Sequence, residues 1–366
     1  MARKSKETEV FNIEDFNFEE LSADIFGDAV TTAKLNPDLQ GKIIAVYGDN
    51  NTGKTTQCAK MVKMSYLLPL EQGSNALGSG TQILKTSGWA DIRKHTRTLT
   101  TNKKLLSALR AGIPIGIIID GVDNIPVFAK QYICDNNGVE KFSKAGAHGS
   151  QWEEYQNEVF WFVTKLTQCG YTLFFIGHPH ESKNVEGYLD LIDDKRTAKP
   201  IKDVCDFVFY LESQGTDPET GKVIPSSAYL TEYKPTEDSY GFFGRCRFPY
   251  VQTYFEQWDA DIVKKAIYDG IVKQAEIEGA QLVNFEEVVE KYESAFDLSH
   301  EEAMDEIFKM LDVCDEKGLT ERADEVLLNY VDDVADVEKL TRKQMQTIQA
   351  IFDELTDLLA EEVEAE

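Results

Sequence analysis

Eight residues, Gly48-Asp49-Asn50-Asn51-Thr52-Gly53-Lys54-Thr55, set two glycines, an amine and a hydroxyl at the spacing GxxxxGK[ST]. Glycines at 48 and 53 allow a tight loop whose backbone N–H groups can approach an anion. Lys54 then reaches the β- and γ-phosphates of a nucleoside triphosphate, and Thr55 puts a hydroxyl on magnesium. The motif follows the apolar run 42–47 and opens a helical pattern through Thr56, so loop amides and a helix N-terminus can cradle phosphates together. The metal needs a second anchor. Asp120, after Ile117-Ile118-Ile119, supplies one if a buried strand beside the first presents its carboxylate to the magnesium shell, with Asp123 a weaker candidate. His178 ends the run 171–177 and is placed to act on the terminal phosphate and relay nucleotide state to the segment after it. The base that would orient water is not clear. Glu71 and Asp91 are the acids between Leu67 and Thr100, neither follows a convincing strand, and Asp91 is the better placed if 81–89 forms an irregular one.

The elements that must hold these groups are short apolar runs alternating with helical stretches. Strands are expected at 42–47, 113–120, 171–177, 206–212 and 227–233, the last antiparallel at an edge. Several are apolar on both faces, as in a mostly parallel sheet covered by helices on each side, so the fold class is α/β. Beyond residue 270 the pattern is helical only. Ser299/Glu302 and Thr341/Gln344 fit capping boxes, and Met345, Ile348, Phe352, Leu355 and Leu359 mark one face of a last helix that suits a small bundle. The expected organisation is an arm at 1–40, in which Phe11, Phe16 and Phe18 could dock on the core, a P-loop domain at 41–270, and an acidic helical region at 271–366.

Charge supports that division. The net charge is -26, of which residues 271–366 carry -20, so any polyanion site belongs to the first 270 residues. The 6 cysteines form no CxxC pair and are expected as buried thiols rather than as a zinc or disulfide framework. No run approaches the roughly 20 apolar residues of a membrane span, and the start lacks a signal segment, so a cytoplasmic location is expected.

YGDNNTGKTT, IIIDGVDNI, QWEEYQNEVFWFVTKL running into LFFIGHPHES, KRTAKPIKDVCDFVFYLE and GRCRFP resemble, in that order over about residues 40–260, the phage ATPases of RecA-like fold, including the Sak-four single-strand annealing recombinases. The resemblance implies a RecA-like core, ATP with Mg2+, a homo-oligomer and action on single-stranded DNA in phage recombination or replication. The chain departs from it in lacking a clear base glutamate and in carrying a long acidic tail, which could dock single-strand-binding or other replication proteins. Residues 179–203 then occupy the place of a DNA-contacting loop, with Lys195, Arg196, Lys199 and Lys202. Segment 130–150 offers Lys130, Lys141 and Lys144 among Tyr132 and Phe142, a mixture that suits backbone neutralisation and base stacking. Arg245 and Arg247 could reach a neighbouring subunit's phosphates. Two other classes remain open: a thymidylate-like nucleotide kinase, although no DR[YH] segment or arginine-rich lid is present, and a nucleotide-switched adaptor.

Overall fold

The computed structural model describes residues 33–71, 80–284, 299–331 and 333–365, with positions 17, 18, 21, 22, 25 and 77. Phe11 and Phe16 lie outside these residues, and Phe18 is exposed. The chain divides into two compact units, 1–292 and 293–366. In chain order the first contains β1 (Ile43–Gly48), α1 (Lys54–Met61), β2 (Met64–Pro69), β3 (Thr81–Ile83), α2 (Trp89–Thr101), α3 (Lys103–Arg110), β4 (Ile115–Asp120), α4 (Ile125–Asn136), α5 (Ser150–Thr167), β5 (Thr172–Gly177), β6 (His180–Glu181), β7 (Tyr188–Asp190), α6 (Lys195–Val204), β8 (Phe207–Glu212), β9 (Ser227–Tyr229), β10 (Gly241–Phe242), β11 (Arg245–Cys246), β12 (Tyr254–Phe255) and α7 (Ala260–Glu278).

The central sheet has the order β12-β9-β8-β1-β5-β4-β2-β3, with β11 also pairing β8. Strands β8, β1, β5, β4, β2 and β3 are mutually parallel, and β9, β11 and β12 add the antiparallel edge. Side chains alternate between its faces with the two-residue period of a strand. Ala45, Ile117, Ile119, Leu173, Phe175 and Val208 join one buried cluster with residues of α2, α4, α5 and α6. Ile44, Val46, Ile118, Phe174, Phe207 and Phe209 join another with Cys58 and Met61 of α1 and Val263, Ile267 and Ile271 of α7. Burial on both faces explains the nearly unbroken apolar runs. It also carries the first unit past residue 270, because α7 is one of the covering helices.

Three features depart from the sequence expectation. The strand expected at 227–233 is the shorter β9, antiparallel as expected but not outermost, because β12 pairs its outer side. Strands β2 and β3 extend the sheet beyond β4, and β5 rather than β4 is the neighbour of β1. The C-terminal ends of β1, β5, β4 and β2 lie along one edge, with Tyr47 beside Gly177, Asp120 beside Ile176 and Pro69 beside Asp120. Helix α1 leaves that edge towards one face, whereas α4 and α5 cover the other. Ligands of open α/β sheets bind in the crevice such a divergence leaves. A smaller sheet, β10-β7-β6, joins the two short strands after β5 to β10, which follows β9.

The second unit contains α8 (His300–Glu316), α9 (Thr320–Leu328) and α10 (Met345–Ala365) around its own core of Met304, Ile307, Leu327, Ile348, Ile351 and Leu355. Ser299 and Glu302 close the capping box that starts α8. The Thr341–Gln344 box is also present, but it opens a 3-10 turn, Arg342–Gln344, from which α10 continues. Cys58, Cys134, Cys205 and Cys314 are buried, while Cys169 and Cys246 are only half-buried.

Candidate nucleotide and magnesium site

The loop after β1 is built around backbone that glycine and asparagine tolerate. Gly53 sits at φ 80° and Asn51 at φ 64°, both left-handed. Gly48 ends β1 against β8, where a Cβ would stand 2.5 Å from the Leu211 carbonyl oxygen. Gly48→Ala is therefore expected to cost about 1–3 kcal/mol of stability through overpacking against fixed backbone. A melting temperature equal to the parent's would show that the strands yield there. Thr52 is buried and donates to the Asp49 carbonyl at 2.8 Å, which closes the loop on itself. Lys54 begins α1, is buried, and donates from Nζ to the carbonyls of Gly48 and Asp49 at 2.7 and 2.8 Å. Burial lowers its pKa, against the opposing pull of Asp120, Glu71, Asp49 and Asp123. Thr55 and Thr56 occupy the first turn of α1, whose leading N–H groups have no partner within the helix and can face phosphate oxygens.

Thr55 Oγ1, in the first turn of α1, donates to Asp120 Oδ2 at 2.9 Å, although β5 separates β1, which leads into that helix, from β4, which ends in Asp120. The other carboxylate oxygen, Asp120 Oδ1, is buried with no hydrogen-bond partner among the described residues. A hydroxyl and a carboxylate oriented by one bond, with an unused oxygen beside them, fit a hard cation that takes its remaining ligands from phosphate and water. Burial raises the pKa of Asp120, while Thr55 and Lys54 oppose the shift.

The structure brings in Glu71, which sequence reasoning ranked below Asp91. β2 is a full partner of β4, and Leu70 N donates to the Asp120 carbonyl at 2.8 Å, so the next residue emerges at the same edge. Asn124 Nδ2 holds the turn through the Leu70 carbonyl at 3.2 Å. Gly121, at φ 90°, leaves the space, since a Cβ on it would lie 3.0 Å from Glu71 Cγ. Burial raises the pKa of Glu71. Asp91 instead accepts from Ser87 N and Oγ at 2.8 and 2.5 Å in the first turn of α2. The strand-length apolar run Met64–Pro69 ahead of Glu71 was the available signal.

His178 joins these groups. Its Nε2 lies 3.0 Å from Asn50 Oδ1 of the loop, and its Nδ1 lies 3.4 Å from Asp123 Oδ2 and 3.7 Å from Glu71 Oε2. The bond to Asp123 raises the histidine's pKa. Burial pushes Asp123 upward, but the bond to His178, a backbone hydrogen bond and the nearby His178 and His180 together outweigh it and hold that carboxyl below its ordinary value. Asp123 thus faces the imidazole, while Asp120 is the acid bonded to Thr55. His180 Nε2 lies 3.9 Å from Asp123 Oδ2.

Asp123 and His180 also line a cleft of about 970 Å³ whose further wall carries Lys130, Lys195, Arg196, Lys199 and Lys202. The four cations of 195–202 lie on α6 rather than on a loop, because Asp194 caps the helix by accepting from Arg196 N and Thr197 N. Two are paired with carboxylates, Lys199 with Asp203 at 2.6 Å and Lys202 with Asp190 at 2.6 Å. Lys130 from the other candidate segment joins the cleft through Asp194 at 3.2 Å, whereas Lys141 and Lys144 stay exposed. Six basic and six acidic side chains line it, so an incoming polyanion must displace internal pairs. Arg245 donates to the Lys202 carbonyl at 2.8 Å, and Arg247 bonds the Asp203 carbonyl; both sit where β8 begins, at the sheet edge opposite the phosphate loop. Within the chain they fasten α6 to β8.

Residues 40–247 match a family model described as AAA domain. Over 341 residues, 93% of this chain and the whole of the relative, the sequence is 35% identical to the SPbeta prophage-derived uncharacterized protein YorG of Bacillus subtilis (strain 168). Among the described residues no helix is long and apolar enough to cross a membrane.

Proposed function

We propose that this chain, which belongs to the AAA-domain family of P-loop NTPases, hydrolyses ATP and uses it to act on single-stranded DNA in phage recombination or replication. The family implies nucleotide binding; hydrolysis, the DNA substrate and a RecA-like, Sak-four-like mode of action are the proposal. One observation carries it. Asp123 and His180 lie beside the nucleotide cluster through His178 and also line the cleft that holds the α6 cations and their paired carboxylates, so the two candidate sites share a wall. The prophage origin of the relative supports a phage setting.

In this reading the loop amides and Lys54 bind the phosphates, and Thr55 with Asp120 would hold the Mg2+ that neutralises charge on the phosphate oxygens. Glu71 orients the attacking water and takes its proton. His178, fixed by Asp123 and Asn50, reports on whether the terminal phosphate is present. The chain works as a homo-oligomer, and its acidic helical unit recruits replication proteins.

ATPase assays with and without single-stranded DNA, alongside a nucleoside monophosphate acceptor, test the assignment. DNA-stimulated phosphate release is expected. A phosphorylated acceptor would make the protein a nucleotide kinase, and nucleotide binding without turnover would make it a switched adaptor. Replacing Lys195, Arg196, Lys199 and Lys202 together by Ala should weaken single-strand binding and flatten its salt dependence, since each phosphate contact contributes about 0.7 to the logarithmic slope. Most of the loss should come from Lys195 and Arg196, because Lys199 and Lys202 begin in carboxylate pairs. An unaltered slope would exclude α6 from the DNA path.

A further inference from the structure

Beside the cleft lies a group of aromatic rings of which one, Trp152, is used neither by the nucleotide chemistry nor by the sheet core. Trp152, in the first turn of α5, is 36% exposed. Its ring meets Phe142 edge-on, with centroids 4.9 Å apart, and Tyr155 at 6.3 Å. Two cations that line the cleft rest on the same ring: the Arg196 guanidinium 4.5 Å from its centroid and Lys130 Nζ at 5.1 Å. Tyr155 is fully buried and bonded to Thr197, so it anchors the group and leaves Trp152 as the open ring.

From this arrangement we infer that Trp152 is a stacking platform for an unpaired nucleobase, with Arg196 and Lys130 turning to the phosphates on either side of that base. The inference rests on the single-strand reading above and deepens it by naming where the bases go. A flat ring accepts any base on its π-face, so the contact is tolerant of sequence. Bases inside a duplex are already stacked and paired, so the platform selects single strands. The cations meet both requirements of such a contact: a guanidinium lying on an indole can yield that face to a base, and it stays within reach of the backbone.

The test measures oligonucleotide affinity of the full chain by fluorescence anisotropy, for normal single strands and for strands carrying abasic sites. Trp152→Leu keeps an apolar side chain at the position and removes the π-face; Trp152→Phe keeps a π-face. Leu is expected to weaken binding about 5- to 100-fold, Phe much less, and the difference between Leu and the parent should vanish on the abasic strand. Melting temperatures verify that each variant is folded, and a packing defect alone would not distinguish normal from abasic strands. Equal affinities of parent and Leu variant for normal single strands would overturn the platform and leave the DNA reading standing. No single-strand binding by the parent, with or without ATP, would overturn both.

Discussion

Glu71→Gln lowers steady-state ATP turnover by about 10²–10⁴-fold, the usual contribution of a positioned general base, while nucleotide affinity stays within a few-fold of the parent. The amide keeps the size and hydrogen-bonding reach of the side chain but cannot take a proton. The hydrogen bonds of Lys54 to the Gly48 and Asp49 carbonyls and of Thr55 to Asp120 do not involve Glu71. The pH profile separates this from a general loss of structure. Glu71 must be ionised to act, and burial raises its folded-state pKa, so the parent's rate falls as pH drops through a value above the ordinary carboxylate range. The Gln variant should retain a low rate without that limb. Single-turnover hydrolysis equal to the parent's, with the same acid limb, would take the role from Glu71. Asp123 would then be the next acid to replace, since it also contacts His178.

What the sequence revealed and what it concealed follow from the distance over which each feature is specified. The phosphate loop is local chemistry: glycine at a left-handed turn, a lysine and a threonine opening a helix. It is legible in eight residues. Asp120 is legible because five of the six residues of β4 are apolar or glycine and the strand is buried on both faces, which makes its terminal acid conspicuous. Glu71 is not, because its position depends on β2 pairing with β4 across β3, α2 and α3, and strand order is set by packing of helices on both faces rather than by any local pattern. The same holds for β5, which the sequence showed as a strand but could not place between β1 and β4. The cations of α6 illustrate a further limit. Their spacing is visible, yet Asp190 and Asp203, which occupy two of them, come from β7 and from one helical turn on. Charge counts along the chain do not say which charges are already spent.

Lys54→Ala should weaken ATP binding by about 10²–10⁴-fold in a protein that remains folded. The ammonium is the positive side chain of the loop, and four carboxylates, Asp120, Glu71, Asp49 and Asp123, act on it. Removing it deletes charge-assisted bonds to the phosphates, each worth about 1.5–3 kcal/mol, and leaves the polyphosphate facing those carboxylates with one counter-charge fewer. Stability should change little, because two effects oppose each other. The buried amine carries a desolvation cost that the variant escapes, while the carbonyls of Gly48 and Asp49 lose the donor they have in this structure. Those carbonyls lie in a loop at the sheet edge, where water can replace the lost donor. Calorimetric titration of ATP with magnesium, paired with thermal unfolding, separates the two quantities. A folded Lys54→Ala protein that binds ATP as the parent does would remove the phosphate loop from the site. An unfolded one would show that the ammonium is needed to close the loop even before any phosphate arrives, and Lys54→Met, which keeps the buried stem, would then isolate the charge.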